Sequence, residues 1–306
     1  MLDKVNAKWL DTNSSLVFIG ILFFSFLSML GHIVTQNSFL LFVCAASGFI
    51  SYLLLALASL LYKEQKLYVA LFAALLPLLI YILTVAESLI TWVGPVITIF
   101  GVFVLARSLV RYDSWRYGFE LLAVLGFFMV LGAHLMVSDL PGFWAELLNP
   151  YLDKVKAGSE QISIMKQALP ARYTGISVFF NFLLFPMFCV NCVKTILQRI
   201  DKNILKKVAS GVMFSKTLTF ILIGLSVANI WFRIDFLVDL QIIWLMACMV
   251  VGLSFVHEFL KQHNKKYLLL SVIYVVLFLP GNLFVSMLTI LGILDSGFNL
   301  RKKFIN

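Results

Sequence analysis

Residues 39–62 read FLLFVCAASGFISYLLLALASLLY, with no charged side chain and no proline. A helix over this run would be about 36 Å long at 1.5 Å per residue, enough to cross a hydrocarbon core of ~30 Å. The strands of an outer-membrane barrel alternate polar and apolar residues, and this run does not alternate. In lipid each backbone N–H and C=O must find its partner within the segment, so the run is expected to be a helix.

Outward from that segment the pattern repeats. Apolar runs between charged breaks predict spans at 16–33, 38–61, 67–86, 93–110, 118–137, 173–193, 213–231 and 238–258, with a final apolar block over 267–294. Of the 306 residues, 61% are hydrophobic and 13% charged, against about 25% charged in a soluble domain. The expected fold is all-α: a polytopic transmembrane helical bundle of about eight to ten membrane segments, forming one integral membrane domain over 1–306. Pro280-Gly281 divides the last block. Because proline removes a helical hydrogen bond, two short or re-entrant segments are expected there, returning the basic tail 295–306 to the side of the N-terminus.

Positive charges set the orientation, since Lys and Arg gather in cytoplasmic loops. With the N-terminus cytoplasmic, only Lys154, Lys156, Lys166, Arg172 and Arg233 fall outside, four of them in one long loop. The polar stretch 1–15 and the absence of a small-x-small site after the first apolar run predict that this run is retained as a span and not cleaved as a signal peptide. The net charge of +9 follows from these basic loops and does not point to nucleic acid. Four cysteines make no disulfide framework. Cys189-Val-Asn-Cys192 has no adjoining ligands, so no metal site is expected.

The loop over 138–171 is expected to face outward. Phe143, Trp144, Leu147, Leu148, Tyr151 and Leu152 recur in it at helical spacing, the pattern of a helix lying in the membrane interface. Such a helix either caps the bundle or covers an outward cavity.

Polar groups inside spans are costly and raise a functional question. Asp and Glu are essentially absent from the middle of the predicted spans, which argues against a carboxylate proton relay. Neutral groups remain. His32, His134, Asn229 and Gln241 fall in the outer part of their spans, Asn181 near midplane, and Asn282 just after Pro280-Gly281. A pocket for a small polar ligand needs such a set, mostly apolar walls with a few directed polar groups. The competing reading is that the same residues form interhelical hydrogen bonds. Pro77 and Pro186 are expected to bend their helices and Pro95 to sit in a first turn. No G-x-S-x-G, H-E-x-x-H or Walker A motif occurs, so no catalytic residue, cofactor or enzymatic activity is assigned.

The C-terminal third carries a resemblance. Gly252-Leu-Ser-Phe-Val-His257, an apolar span from Tyr267, and Leu291-Gly-Ile-Leu-Asp295-Ser-Gly-Phe-Asn-Leu-Arg301-Lys-Lys resemble the closing pattern of the YybS-like family of predicted bacterial membrane proteins. The resemblance implies a multi-pass protein of the bacterial inner membrane. That family is loosely similar to the substrate-binding membrane subunits of energy-coupling factor vitamin transporters, which bind a small molecule near the outer face and dock on an ATP-driven module. The alanines spaced by four that such subunits use for docking on their first helix are missing from Leu16–Ser25, and Ala70 and Ala74 show the spacing on the third. The tail has its own physical account: its basic cluster is expected to lie against anionic headgroups, with Asp295 in reach of Arg301.

Three readings of function stay open beside the bilayer itself. The first is a small-molecule transport or substrate-binding component. The second is a scaffold engaging a protein partner through Ala45-Ala46-Ser47-Gly48 or the basic loop from Lys194 to Lys207. The third is a membrane-embedded enzyme using His32 with His134, or His257-Glu258, on a lipid-linked substrate.

Overall fold

The charge-free run forms helix α2 (Ser38–Leu61) in a computed structural model that describes residues 2–33, 38–62, 64–85, 93–153, 159–200, 211–232, 234–262 and 281–304. The described chain is helical nearly throughout. In order the helices are α1 (Leu2–Ile33), α2, α3 (Glu64–Val85), α4 (Val93–Tyr112), α5 (Trp115–Met136), α6 (Leu140–Leu152), α7 (Ser159–Ala168), α8 (Tyr173–Val178), α9 (Phe185–Ile200), α10 (Lys216–Phe232), α11 (Asp235–Gln262), α12 (Gly281–Phe298) and α13 (Leu300–Phe304). Six helical runs are long and apolar enough to cross a membrane: Phe42–Leu61, Gln65–Leu83, Val93–Tyr112, Trp115–Met136, Ile162–Ile200 and Asp235–Leu260. Shorter apolar helices cover Ser14–Met29, Lys216–Phe232 and Val285–Phe298. The protein is an integral, multi-pass membrane protein.

Two compact units divide the chain, one made of Met1–Asp113 with Leu184–Val208 and the other of Ser114–Leu183 with Ala209–Asn306. In the first, α1 packs on α2 and α3, and α9 on α2 and α4. Small residues lie inside, among them Ala56, Ala58, Ser59, Ala70 and Ala74. Large ones lie outside: Phe42, Phe72 and Leu83 are 71, 61 and 74% exposed. That inversion is expected where the solvent is hydrocarbon, because burying Phe gains nothing over lipid while small residues let backbones approach. Gly48 lets α2 approach Ser28 of α1, and Ser25 and Ser51 pair through their hydroxyls at 2.5 Å. Within the segment Ala45–Gly48, Gly48 thus makes a contact within the chain while Ala45 is exposed, and Ala70 and Ala74 are buried.

The second unit is built around α11, which packs on α5, α8, α10 and α12. The tightest crossing is between α11 and α12. A Cβ at Gly252 would overlap the Leu288 carbonyl, and one at Gly292 the Cys248 carbonyl. Glycine at both places lets the two backbones touch.

Several boundaries differ from the sequence reading. Helix α1 begins at Leu2, well before the expected start at 16, and α11 extends over Asp235–Gln262. The expected span 213–231 begins instead at Lys216, because 211–215 is not helical, its backbone held by side chains from other helices. Helix α8 runs into a π-helical turn, Phe179–Leu184, directly before Pro186. The proline ring clashes with the carbonyl four residues back, that of Phe182, and a widened turn accommodates it. Pro77 lies inside α3, and Pro95 in the first turn of α4, as expected. The interfacial pattern at 143–152 corresponds to α6. Residues 263–280, which include most of the ambiguous block and Pro280, lie outside the described residues, as do 154–158 and the basic residues Lys202, Lys206 and Lys207.

Candidate functional site

Asp239 sits one turn into α11 and is 1% exposed. Its two oxygens are both engaged: Oδ2 lies 2.9 Å from His134 Nε2, and Oδ1 accepts a hydrogen bond from the backbone N–H of Gly175 at 2.9 Å. Thus α11 supplies the carboxylate, α5 the imidazole near its C-terminus, and α8 an N–H from its first turn. The position of Gly175 requires glycine, since a Cβ there would lie 2.6 Å from the Asp239 carbonyl oxygen. Gly175→Ala is therefore expected to push α8 from α11 and to destabilise by about 1–3 kcal/mol, read as a fall in the unfolding midpoint of the purified protein.

Aromatic groups close in on this pair. Phe236 stands edge-on to the His134 ring with centroids 5.8 Å apart. The Trp144 indole of α6 donates to Thr174 Oγ1 at 2.7 Å and lies 4.7 Å from the Tyr173 ring. Helix α6 is thus fixed onto the first turn of α8, beside the residue that bonds Asp239. The His134 side chain keeps 17% of its surface exposed while the Asp239 side chain keeps 2%. The imidazole is thus the more accessible of the two groups, and the carboxylate the more enclosed.

Asp239 was the group that sequence reasoning missed. It lies at the start of an apolar run, where a carboxylate reads as a solvated flank; the middle of the span stays free of acids, and the buried carboxylate stands at its end. The available signal was the Asp235/Asp239 spacing, which puts both acids on one face of α11. Two carboxylates on the N-terminal turn of a helix are also an ordinary helix start, so the pattern is not specific.

The sequence candidates serve in different places. Asn229 Nδ2 donates to Gln241 Oε1 at 2.6 Å, joining α10 to α11. Asn229 Oδ1 is buried without a hydrogen-bond partner among the described residues. Gln241 also lines a cavity of ≈ 10 Å³ with Leu222, Ser226 and Trp244, room for about one water. Gln241 is two residues from Asp239, about 200° around the helix, so the Asn229–Gln241 bond and the His134–Asp239 pair occupy opposite faces of α11 at the same end. Asn181, in the π-helical turn, donates within its own helix to Ser177 O at 3.0 Å and Ser177 Oγ at 3.2 Å. Of the six candidates, the structure brings together Asn229 and Gln241. His32 and Asn282 fall on helical residues whose side chains lie outside the described residues.

A second ionic centre lies at the other end of the unit. Arg301 is buried, its Nε bonded to Asp295 Oδ2 at 2.7 Å and its Nη1 to Glu258 Oε2 at 2.9 Å. Asn299, with φ of 53°, ends α12 in the left-handed conformation, which asparagine tolerates. It turns the chain so that Arg301 faces back to Asp295. The pairing of Asp295 with Arg301 was legible in sequence. The expectation that the whole basic cluster lies against headgroups is corrected: Lys302 and Lys303 are exposed, but Arg301 is internal. Glu258 is likewise committed to Arg301, not left beside His257 as an acid–base pair.

From Asp239 to Glu258 is nineteen helical residues, or about 28 Å. That is close to the ~30 Å hydrocarbon thickness, so α11 carries one ionic centre near each end of its span. Among the described residues no group of His, Cys, Asp and Glu is suited to hold a metal ion. All four cysteines are free, with Cys44, Cys189 and Cys248 buried. No protein-family model, no curated protein and no solved structure matches the chain.

Proposed function

We propose that this membrane protein is a small-molecule transport or substrate-binding component, non-catalytic, whose polar centre is the His134–Asp239 pair. The observation that carries the reading is a carboxylate 1% exposed at the start of an apolar helix, bonded to a partly reachable imidazole and a backbone N–H. An ionisable group kept within a membrane segment is expensive, and such groups mark substrate and ion pathways. With the N-terminus cytoplasmic, as the charge distribution favours, the pair lies at the outer end of α11. The proposed kinship with the YybS-like family, and through it with substrate-binding transporter subunits, points the same way. The catalytic alternative loses one of its pairs, since Glu258 already holds Arg301 at 2.9 Å.

The test is a thermal-shift screen of the nanodisc-embedded protein against small polar metabolites, with mass spectrometry of whatever co-purifies. A ligand that stabilises the wild type should bind Asp239→Asn and His134→Ala about ten- to hundredfold more weakly, the cost of losing a hydrogen bond to a charged group. Equal affinity in folded variants, or a screen and extract that both return nothing, would sink the reading.

A further inference from the structure

The non-helical segment Gly211–Ser215 is an oddity in a helical membrane protein, where backbone outside helices is tolerated only if protein satisfies it. Here side chains do so. The Val212 N–H donates to Ser254 Oγ at 3.2 Å, the Phe214 N–H to Ser296 Oγ at 3.2 Å, and the Ser215 N–H to Glu120. The Val212 carbonyl accepts from Arg301 Nη2 at 2.8 Å. Four helices, α11, α12, α5 and α13, therefore hold one strap.

Its side chains are as deeply set as its backbone. Phe214 is 0% exposed, with ring centroids 5.1 Å from Phe119 and 5.3 Å from Trp244. Trp244 is in turn a wall of the ≈ 10 Å³ cavity beside Gln241. Gly211 has φ of +114°, and a Cβ there would overlap the Arg301 guanidinium. The strap's entry is thus shaped around Arg301.

We propose that Arg301 is a latch: it pins the Gly211–Ser215 strap and so keeps Phe214 in place as a plug against Phe119 and Trp244. One guanidinium serves two carboxylates and the carbonyls of Val212 and Val251 at once. Its withdrawal would leave Asp295 and Glu258 facing each other with the Val212 carbonyl unpaired, so the latch holds or releases as a unit. Releasing it draws Phe214 from Trp244 and opens the space next to Gln241 from that end of the unit. The latch needs no assumption about a ligand at His134–Asp239.

Hydrogen–deuterium exchange of the full chain in nanodiscs tests this. In the wild type the amides of Val212, Phe214 and Ser215 should be protected despite lying outside any helix. In Arg301→Ala they should exchange about ten- to hundredfold faster, the effect of losing charge-assisted hydrogen bonds, while α5 and α11 keep their protection. Unprotected strap amides in the wild type, or unchanged exchange in Arg301→Ala, would overturn the latch. Should Arg301→Ala fail to fold, Arg301→Lys decides. It keeps the buried positive charge but loses the fork that reaches the Val212 carbonyl, and it should speed exchange at the strap alone. Exchange at the wild-type rate in Arg301→Lys would overturn the proposal.

Discussion

Gly252→Leu is expected to prevent accumulation of folded protein, read as loss of the monodisperse peak after detergent extraction. Even one added carbon at 252 overlaps the Leu288 carbonyl, and the reciprocal position, Gly292, meets the Cys248 carbonyl. The obstacles are backbone atoms of neighbouring helices, so no rotamer change relieves them. Helices α11 and α12 would have to separate, and with them Thr289 Oγ1, which lies 3.4 Å from the Leu245 carbonyl. Overpacking of this kind costs about 3 kcal/mol or more. Gly252→Ala should already lower the unfolding temperature. Gly224→Ala is the control: nothing lies within 4 Å of a Cβ there, and the change should be neutral or stabilise by about 0.5–1 kcal/mol. If Gly252→Leu folds and unfolds as the wild type does, the crossing at these glycines is wrong.

Arg301→Leu should cost about 3–5 kcal/mol, because removing one partner of a buried ion pair strands the other. The stranded groups are Asp295, 0% exposed, and beside it Glu258. Asp295→Leu combined with Arg301→Leu should recover much of the loss, since an apolar pair of similar volume tolerates the same site. Recovery should remain incomplete, because the bonds from the Arg301 N–H to Asp295 Oδ1, from Arg301 Nη2 to Val212 O and from Arg301 Nη1 to Glu258 Oε2 have no replacement. Unfolding midpoints of the two single variants and the double variant in mixed micelles give the coupling. A loss below about 1 kcal/mol for Arg301→Leu would place the pair among exposed ones and contradict its burial.

What the sequence could specify was local. An uncharged run such as 39–62 has only one backbone form in hydrocarbon, so α2 and its fellow apolar helices were legible from composition and length alone. So were Pro95 in a first turn and the reach of Asp295 to Arg301 six residues on, both matters of neighbouring positions. The polar sites were not legible, because their partners are distant in the chain. His134 meets Asp239 across 105 positions and Gly175 meets it across 64. Nothing near either end announces the other. Asp239 looked like a solvated helix start until α5 and α8 enclosed it, and Asn181, expected to face a pocket, turned to its own helix at the π-helical turn. The strap at 211–215 shows the same division most clearly. Its residues are apolar enough to have been read as the beginning of a span, and local propensity would have continued α10 through them. Tertiary structure decided otherwise, because hydroxyls, a carboxylate and a guanidinium from four other helices satisfy that backbone in place of its own helical hydrogen bonds.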